Sequence, residues 1–148
     1  MGIIWSVPVI HRSALMPYSA QTMFEIVNNV NAYPEFLPWC AETRILTQTE
    51  STMEASILMK KAGLNHWFTT RNAIDKNKSI KMTLVNGPFK QLDGEWKFTE
   101  FDPDASKIEL DLNFEFSGGL GTTLIAPIFT QIANTLVDSF CKRAQNLS

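Results

Sequence analysis

The sequence predicts an α+β domain: a curved antiparallel sheet of about six or seven strands wrapped around a long C-terminal helix, with one or two short helices after the first strand. Three observations predict it. Residues 108–116, "IELDLNFEF", alternate strictly, with Ile108, Leu110, Leu112, Phe114 and Phe116 on one face and Glu109, Asp111, Asn113 and Glu115 on the other. Such a strand buries one face and wets the other. Turn residues recur at hairpin distances between 50 and 104. From Leu124 to Phe140, apolar residues return at helical spacing in a wide stripe that needs an apolar partner.

The elements follow in order. "VIHRSALM" (9–16) reads as the first strand, with Ile10, Arg12, Ala14 and Met16 alternating against His11, Ser13 and Leu15. Pro17-Tyr18-Ser19 breaks it, and Ser19 is a good N-cap for a helix carrying Met23, Phe24, Ile26, Val27 and Val30. Asn31 and Pro34 are expected to end that helix. "YPEFLPWC" (33–40) is strongly apolar, yet Pro34 and Pro38 remove donors and restrict their preceding residues, so an irregular segment is expected.

The period then changes from 3.6 to 2. Strands are read in "TRILTQTE", "STMEASILMK", "HWFTTRNAI", "SIKMTLV" and "EWKFTEF". Their turns fall at Glu50-Ser51, Ala62-Gly63, Asp75 to Lys78, Asn86-Gly87-Pro88 and Asp102-Pro103-Asp104. Asp93-Gly94 is read as a bulge. "SGGLGTT" (117–123) introduces the last helix, with Pro127 expected near its start and Lys142-Arg143 suited to its C-terminal end. A sheet so patterned would grip this helix and leave a gap lined by Met, Phe, Trp and Ile.

The 148 residues suffice for one domain, 1–148, with residues 1–8 read as a flexible or non-native extension. A net charge of −2 gives no footprint for DNA. Lys60, Lys61, Lys76, Lys78, Lys81, Lys90, Lys142 and Arg143 could still assemble a local basic patch. Cys40 and Cys141, with His11 and His66, show no metal spacing, so no metal site is expected. No apolar run reaches the roughly 18–20 residues needed to span a bilayer, and a soluble protein is expected.

The candidate site is a hydrophobic cavity. Tyr33, Phe36, Leu37 and Trp39 would form its lid. Phe68, Phe114 and Phe116 from the strands, and Phe129, Ile132, Leu136 and Phe140 from the helix, would wall it. Phe89, Leu92, Trp96 and Phe98 flank turn residues where a mouth would lie, although core packing explains Trp96 and Phe98 equally well. Arg71 in "FTTRN" fits either a solvated strand face or, with Asn72, a hydrogen bond to a ligand's polar head. A catalytic Cys40 would need a histidine partner, which nothing in the spacing supplies. No catalytic residue is assigned.

Taken together, "SALMPYSAQTMFEIVNNVNAYPEFLPWC" (13–40), "FTTRN" (68–72), "GPFKQLDGEWKF" (87–98), "LNFEF" (112–116) and the C-terminal helix resemble the helix-grip START-like superfamily (polyketide cyclase/dehydrase, Bet v 1-like). The resemblance is strongest to its coenzyme Q-binding branch, which also contains ribosome association toxins. It implies non-enzymatic binding of a hydrophobic small molecule, such as a ubiquinone-like isoprenoid, without a resident cofactor. It also implies transient membrane-surface contact for lipid exchange and a cytoplasmic location peripheral to the inner membrane. The alternative it implies is binding of the large ribosomal subunit and a block on subunit joining. A cyclase or aromatase activity ranks last, because the residues offer no acid–base pair or nucleophile constellation. Two features depart from the pattern: the extension "MGIIWSVPVI" and Pro127 within the final helix.

Overall fold

The computed structural model describes residues 9–117 and 120–148. The expectations for residues 1–8 and for Gly118-Gly119 lie outside the described residues, as does the side chain of Leu124. The chain runs β1 (Val9–Met16), α1 (Ala20–Asn28), a 3-10 turn (Val30–Ala32), α2 (Tyr33–Phe36), β2 (Cys40–Gln48) and β3 (Thr52–Lys61). It continues through β4 (Leu64–Asp75), β5 (Ser79–Asn86), β6 (Phe89–Asp102), β7 (Ala105–Phe116) and α3 (Leu120–Leu147). Among the described residues, seven strands form one curved antiparallel sheet in the order β1-β7-β6-β5-β4-β3-β2. Successive hairpins build β2 to β7, and β1 closes the far edge by pairing with β7, Ile10 opposite Leu112 and Ala14 opposite Ile108.

Alternation decides which face is covered. Ile108, Leu110, Leu112 and Phe114 of β7 are buried, as are Met53, Ala55 and Met59 of β3. Ile125, Phe129, Ile132, Ala133, Val137, Phe140 and Ala144 form the matching buried stripe of α3. The repeat of three and four residues keeps them on one side of the helix, and that side fills the curve of the sheet. Ser19 caps α1 as expected, its Oγ accepting the Thr22 N–H at 3.0 Å. Between β3 and β4, Ala62 and Gly63 both have positive φ (52° and 88°), which a two-residue hairpin turn requires.

Four expectations are corrected. The segment 33–40 is not wholly irregular: Tyr33–Phe36 forms one helical turn, closed by the Leu37 N–H donating to the Tyr33 carbonyl at 2.9 Å. Pro34 sits in its first turn, where a missing donor costs nothing. Asp93-Gly94 is not a bulge, since Gly94 pairs in register with Met82 and Leu112. The glycine instead permits close approach: a Cβ there would lie 2.8 Å from Leu112 Cδ1 and 2.9 Å from the Asp111 carbonyl oxygen. Pro127 lies inside α3, because the helix begins already at Leu120; it is on the exposed side. Arg143 does not serve the helix end but turns toward α2, pairing with Glu35.

Candidate functional site

The inner face of the sheet and the stripe of α3 do not meet everywhere. Between them lies a cavity of about 90 Å³. Phe68, Met82, Leu92, Trp96, Leu110 and Leu112 contribute from the sheet, and Phe129, Ile132, Leu136 and Phe140 from the helix. The small side chains Ala55 and Ala133 face the same space, and their size leaves it open. Val30, Tyr33 and Trp39 close it on the side of the α1–β2 connection. Among the described residues, none of the lining side chains carries a charge.

Among the described residues, Thr70 and Asn72 interrupt this apolar wall beside the Tyr33 hydroxyl. Thr70 and Asn72 are buried on β4 and border the cavity. The Thr70 hydroxyl donates to Asn72 Oδ1 at 3.0 Å. Tyr33 also reaches the cavity with its ring, but its hydroxyl donates to the Val27 carbonyl. Burial pushes the pKa of that phenol well above its usual range, so it stays neutral and occupied.

Of the expected lid, Tyr33 and Trp39 border the cavity. Phe36 faces the other way, into an open groove of about 300 Å³ between α1 and the end of α3. Its ring sits under the Arg143 guanidinium at 4.8 Å and meets Phe140 edge-on at 5.4 Å. Leu37 is fully packed beneath the segment. Among the expected walls, Phe89, Phe114 and Phe116 cluster with Phe129 and stand behind the cavity. Phe98 packs edge-on against Phe24 of α1 at 5.6 Å, so it belongs to the core under that helix.

The structure places Arg71 outside the cavity, on the solvent face, where its Nη2 pairs with Glu54 Oε1 at 3.0 Å. Thr70 and Asn72 point the other way. Sequence reasoning named Asn72 only beside Arg71 and missed Thr70, although period 2 from Phe68 and Ile74 puts both inside. The other overlooked lining residues, among them Ala55, Ile57, Met82, Leu110 and Leu112, lie on strand faces read correctly as buried.

The remaining candidates do not converge. Cys40 is buried and its thiol is pushed up to about 11, chiefly by desolvation, so it holds almost no thiolate at neutral pH. His66 lies two strands away, paired beside Met59, which itself faces Cys40; that is about 10 Å at ordinary strand spacing. His11 bonds Asp111 on the solvent face of β1 and β7. The expected basic patch does not form as one surface. Lys60 and Lys61 end β3, whereas Lys76 and Lys78 flank the turn at the opposite end of β4, roughly 35–40 Å away for a twelve-residue strand. Lys90 pairs with Glu115 and Arg143 with Glu35.

Residues 16–141 match the sequence profile of the family described as polyketide cyclase / dehydrase and lipid transport. The chain belongs to the polyketide cyclase/dehydrase and lipid transport family. Its fold is the START-like, Bet v 1-like one that the motifs implied. A START superfamily protein from Mycobacterium smegmatis superposes with a TM-score of 0.79 at 19% identity, covering 95% of this chain and 99% of that one. Within the family, this chain is 49% identical to the ribosome association toxin RatA of Pseudomonas aeruginosa, over 93% of this chain and 96% of the relative. It is 23% identical to the mitochondrial coenzyme Q-binding protein coq10 of Schizosaccharomyces pombe, over 90% of this chain and 84% of that protein. Among the described residues, no helix is long and apolar enough to cross a membrane.

Proposed function

We propose that this family member acts by associating with the ribosome, through the large subunit, and so inhibits translation in the cytoplasm. The observation that carries this reading is its 49% identity, nearly end to end, to a ribosome association toxin. The geometry supports it by what the cavity cannot hold. At about 90 Å³, it is well below the roughly 300–1,000 Å³ of sites that enclose drug-sized ligands. A long isoprenoid tail is therefore too large for the cavity as described. The test is sedimentation of ribosomes with and without added protein. Loss of joined ribosomes, with the protein travelling with large subunits, is the expected result; an unchanged profile and no co-sedimentation at low and physiological salt would refute it.

A second reading rests on a separate observation, the uncharged cavity with its Thr70–Asn72 pair. It makes the protein a non-enzymatic holder of a small hydrophobic molecule, with a ubiquinone-like quinone as candidate and the membrane surface as its source. A quinone head is closer to the cavity's scale than its tail, which would demand opening at α2. Extraction and mass spectrometry of protein from its native host, with titration of delipidated protein, tests this; clean failure of both removes it. Among the described residues, no lining residue is a carboxylate, histidine or thiol, and we assign no catalytic step.

A further inference from the structure

We propose that the solvent face of the sheet at its β2–β4 end is an RNA-binding platform, where the stacked pair Trp67 and Arg44 takes an unpaired base and Lys60 takes a flanking phosphate. This deepens the ribosome reading above and rests on it for the source of the RNA. Phe68 turns into the cavity, so period 2 turns its neighbour Trp67 to the outer face, where the indole is half-buried. The Arg44 guanidinium lies 4.5 Å from the centre of that indole. Trp67 is opposite Leu58 of β3, and Arg44 is opposite Ser56 of the same strand, so the two side chains meet above β3. Ser56 bonds the Thr69 hydroxyl on this outer face, yet it is 8% exposed. A ring and a guanidinium spread flat across the strands account for that burial. Arg44 itself keeps 61% of its side chain in water.

Two features define the partner. The first is charge. Lys60 follows Leu58 by two residues on the same face, about 7 Å further along β3, and Lys61 ends the strand beside it. Among the described residues, neither lysine makes an ion pair. Arg44 meets Glu42 only through Nε, at 3.6 Å, which leaves its two NH2 groups to a partner. The far half of the same face has the opposite balance: Asp93, Glu95, Glu109 and Asp111 outnumber Lys97 and Lys107 on β6 and β7. A polyanion is thus drawn to the β2–β4 end and repelled from the other. The second feature is the aromatic. A phosphate needs only cations, whereas an indole carrying a guanidinium plane is a surface on which unpaired bases stack. A duplex, whose bases are already stacked on one another, gains nothing from it. Three cations reach at most three phosphates, so the expected slope of log affinity against log salt is about −2.

The test uses purified large subunits and a single-stranded RNA of about ten nucleotides. RNA binding is followed by NMR on the full chain, with the Trp67 indole N–H resonance assigned through Trp67→Phe; subunit binding is followed by co-sedimentation. The single strand is expected to shift that resonance, and the same sequence as a duplex to leave it nearly in place. Trp67→Leu is expected to weaken subunit binding about tenfold. Lys60→Gln is expected to weaken it too, and to lower the salt slope by about 0.7. Lys60 is exposed, so this arm survives a Trp67 variant that folds poorly. If subunits bind both variants as tightly as the unmodified protein, the platform is wrong and the ribosome reading stands. If both variants lose the subunits while the single strand leaves the indole resonance in place, a ribosomal protein occupies this face and the RNA proposal is overturned. If the single strand shifts the indole but the unmodified protein binds no subunits, the platform stands and the ribosome reading fails.

Discussion

Tyr33 shows how one side chain can close a site without entering its chemistry. Its ring borders the cavity, while its hydroxyl holds the Val27 carbonyl near the end of α1. Tyr33→Phe keeps the ring and strips a buried carbonyl of its donor, so it is expected to lower stability by about 1–2 kcal/mol, measured by urea unfolding. Tyr33 and its neighbour Cys40 also set an alkaline limit. Burial raises both pKa values, that of Cys40 from 9.0 to about 11. The fold favours their neutral forms, so their contribution is complete below the ordinary thiol value and is lost as pH rises through the folded one. The urea midpoint should therefore hold between pH 7 and 9 and fall between about 9 and 11, with Cys40→Ala blunting the fall. A midpoint that stays level to pH 11 in the unmodified protein would contradict this. At the same scale, the solvated face of Arg71 was legible: once Phe68 is inside, period 2 alone puts Arg71 in water and Thr70 and Asn72 in the interior.

At the scale of elements, α2 is held mainly from outside the cavity. Arg143 reaches over from α3, its Nη2 3.0 Å from Glu35 Oε1 and its guanidinium stacked on Phe36. Glu35 is largely exposed, so the ion pair alone is worth at most about 1 kcal/mol; the cation–π contact adds a similar amount, about 0.5–1 kcal/mol. Arg143→Ala is thus expected to raise hydrogen exchange at the Leu37 and Cys40 amides, which bond the Tyr33 and Leu37 carbonyls, by about three- to tenfold. Arg143→Lys should fall between, because it keeps the charge but loses the planar stack. Unchanged protection in Arg143→Ala would mean that the packing of Leu37 and Tyr33 alone holds α2. The apolar stripe of α3 was readable because it repeats along one element. The role of Arg143 was not, because its partners lie 107 and 108 residues earlier in the chain and no local period encodes them.

At the scale of the molecule, the strand count, the sheet's buried face and the gripping helix follow from alternation and turn spacing. Periodicity names the faces that meet but not the distance between them, so the modest size of the cavity was not legible. Nor was the dispersal of the lysines, which depends on which ends of the strands they occupy. That dispersal, with a net charge of −2, makes broad electrostatic adhesion a poor basis for ribosome binding. Association is expected to weaken only shallowly with salt, with a slope in log–log form of magnitude below about 3. The surface and the cavity then become separable. Ala133 is 1% exposed and borders the cavity from α3, so Ala133→Leu would put three more carbons into the open space, where overpacking is least costly. Quinone binding by the delipidated protein is expected to fall at least tenfold, while the ribosome profile stays as in the unmodified protein. If the folded variant loses both together, occupancy of the cavity must govern the ribosome-binding surface. The two readings would then describe one coupled function, with the ligand acting through its differential affinity for two states of the same molecule.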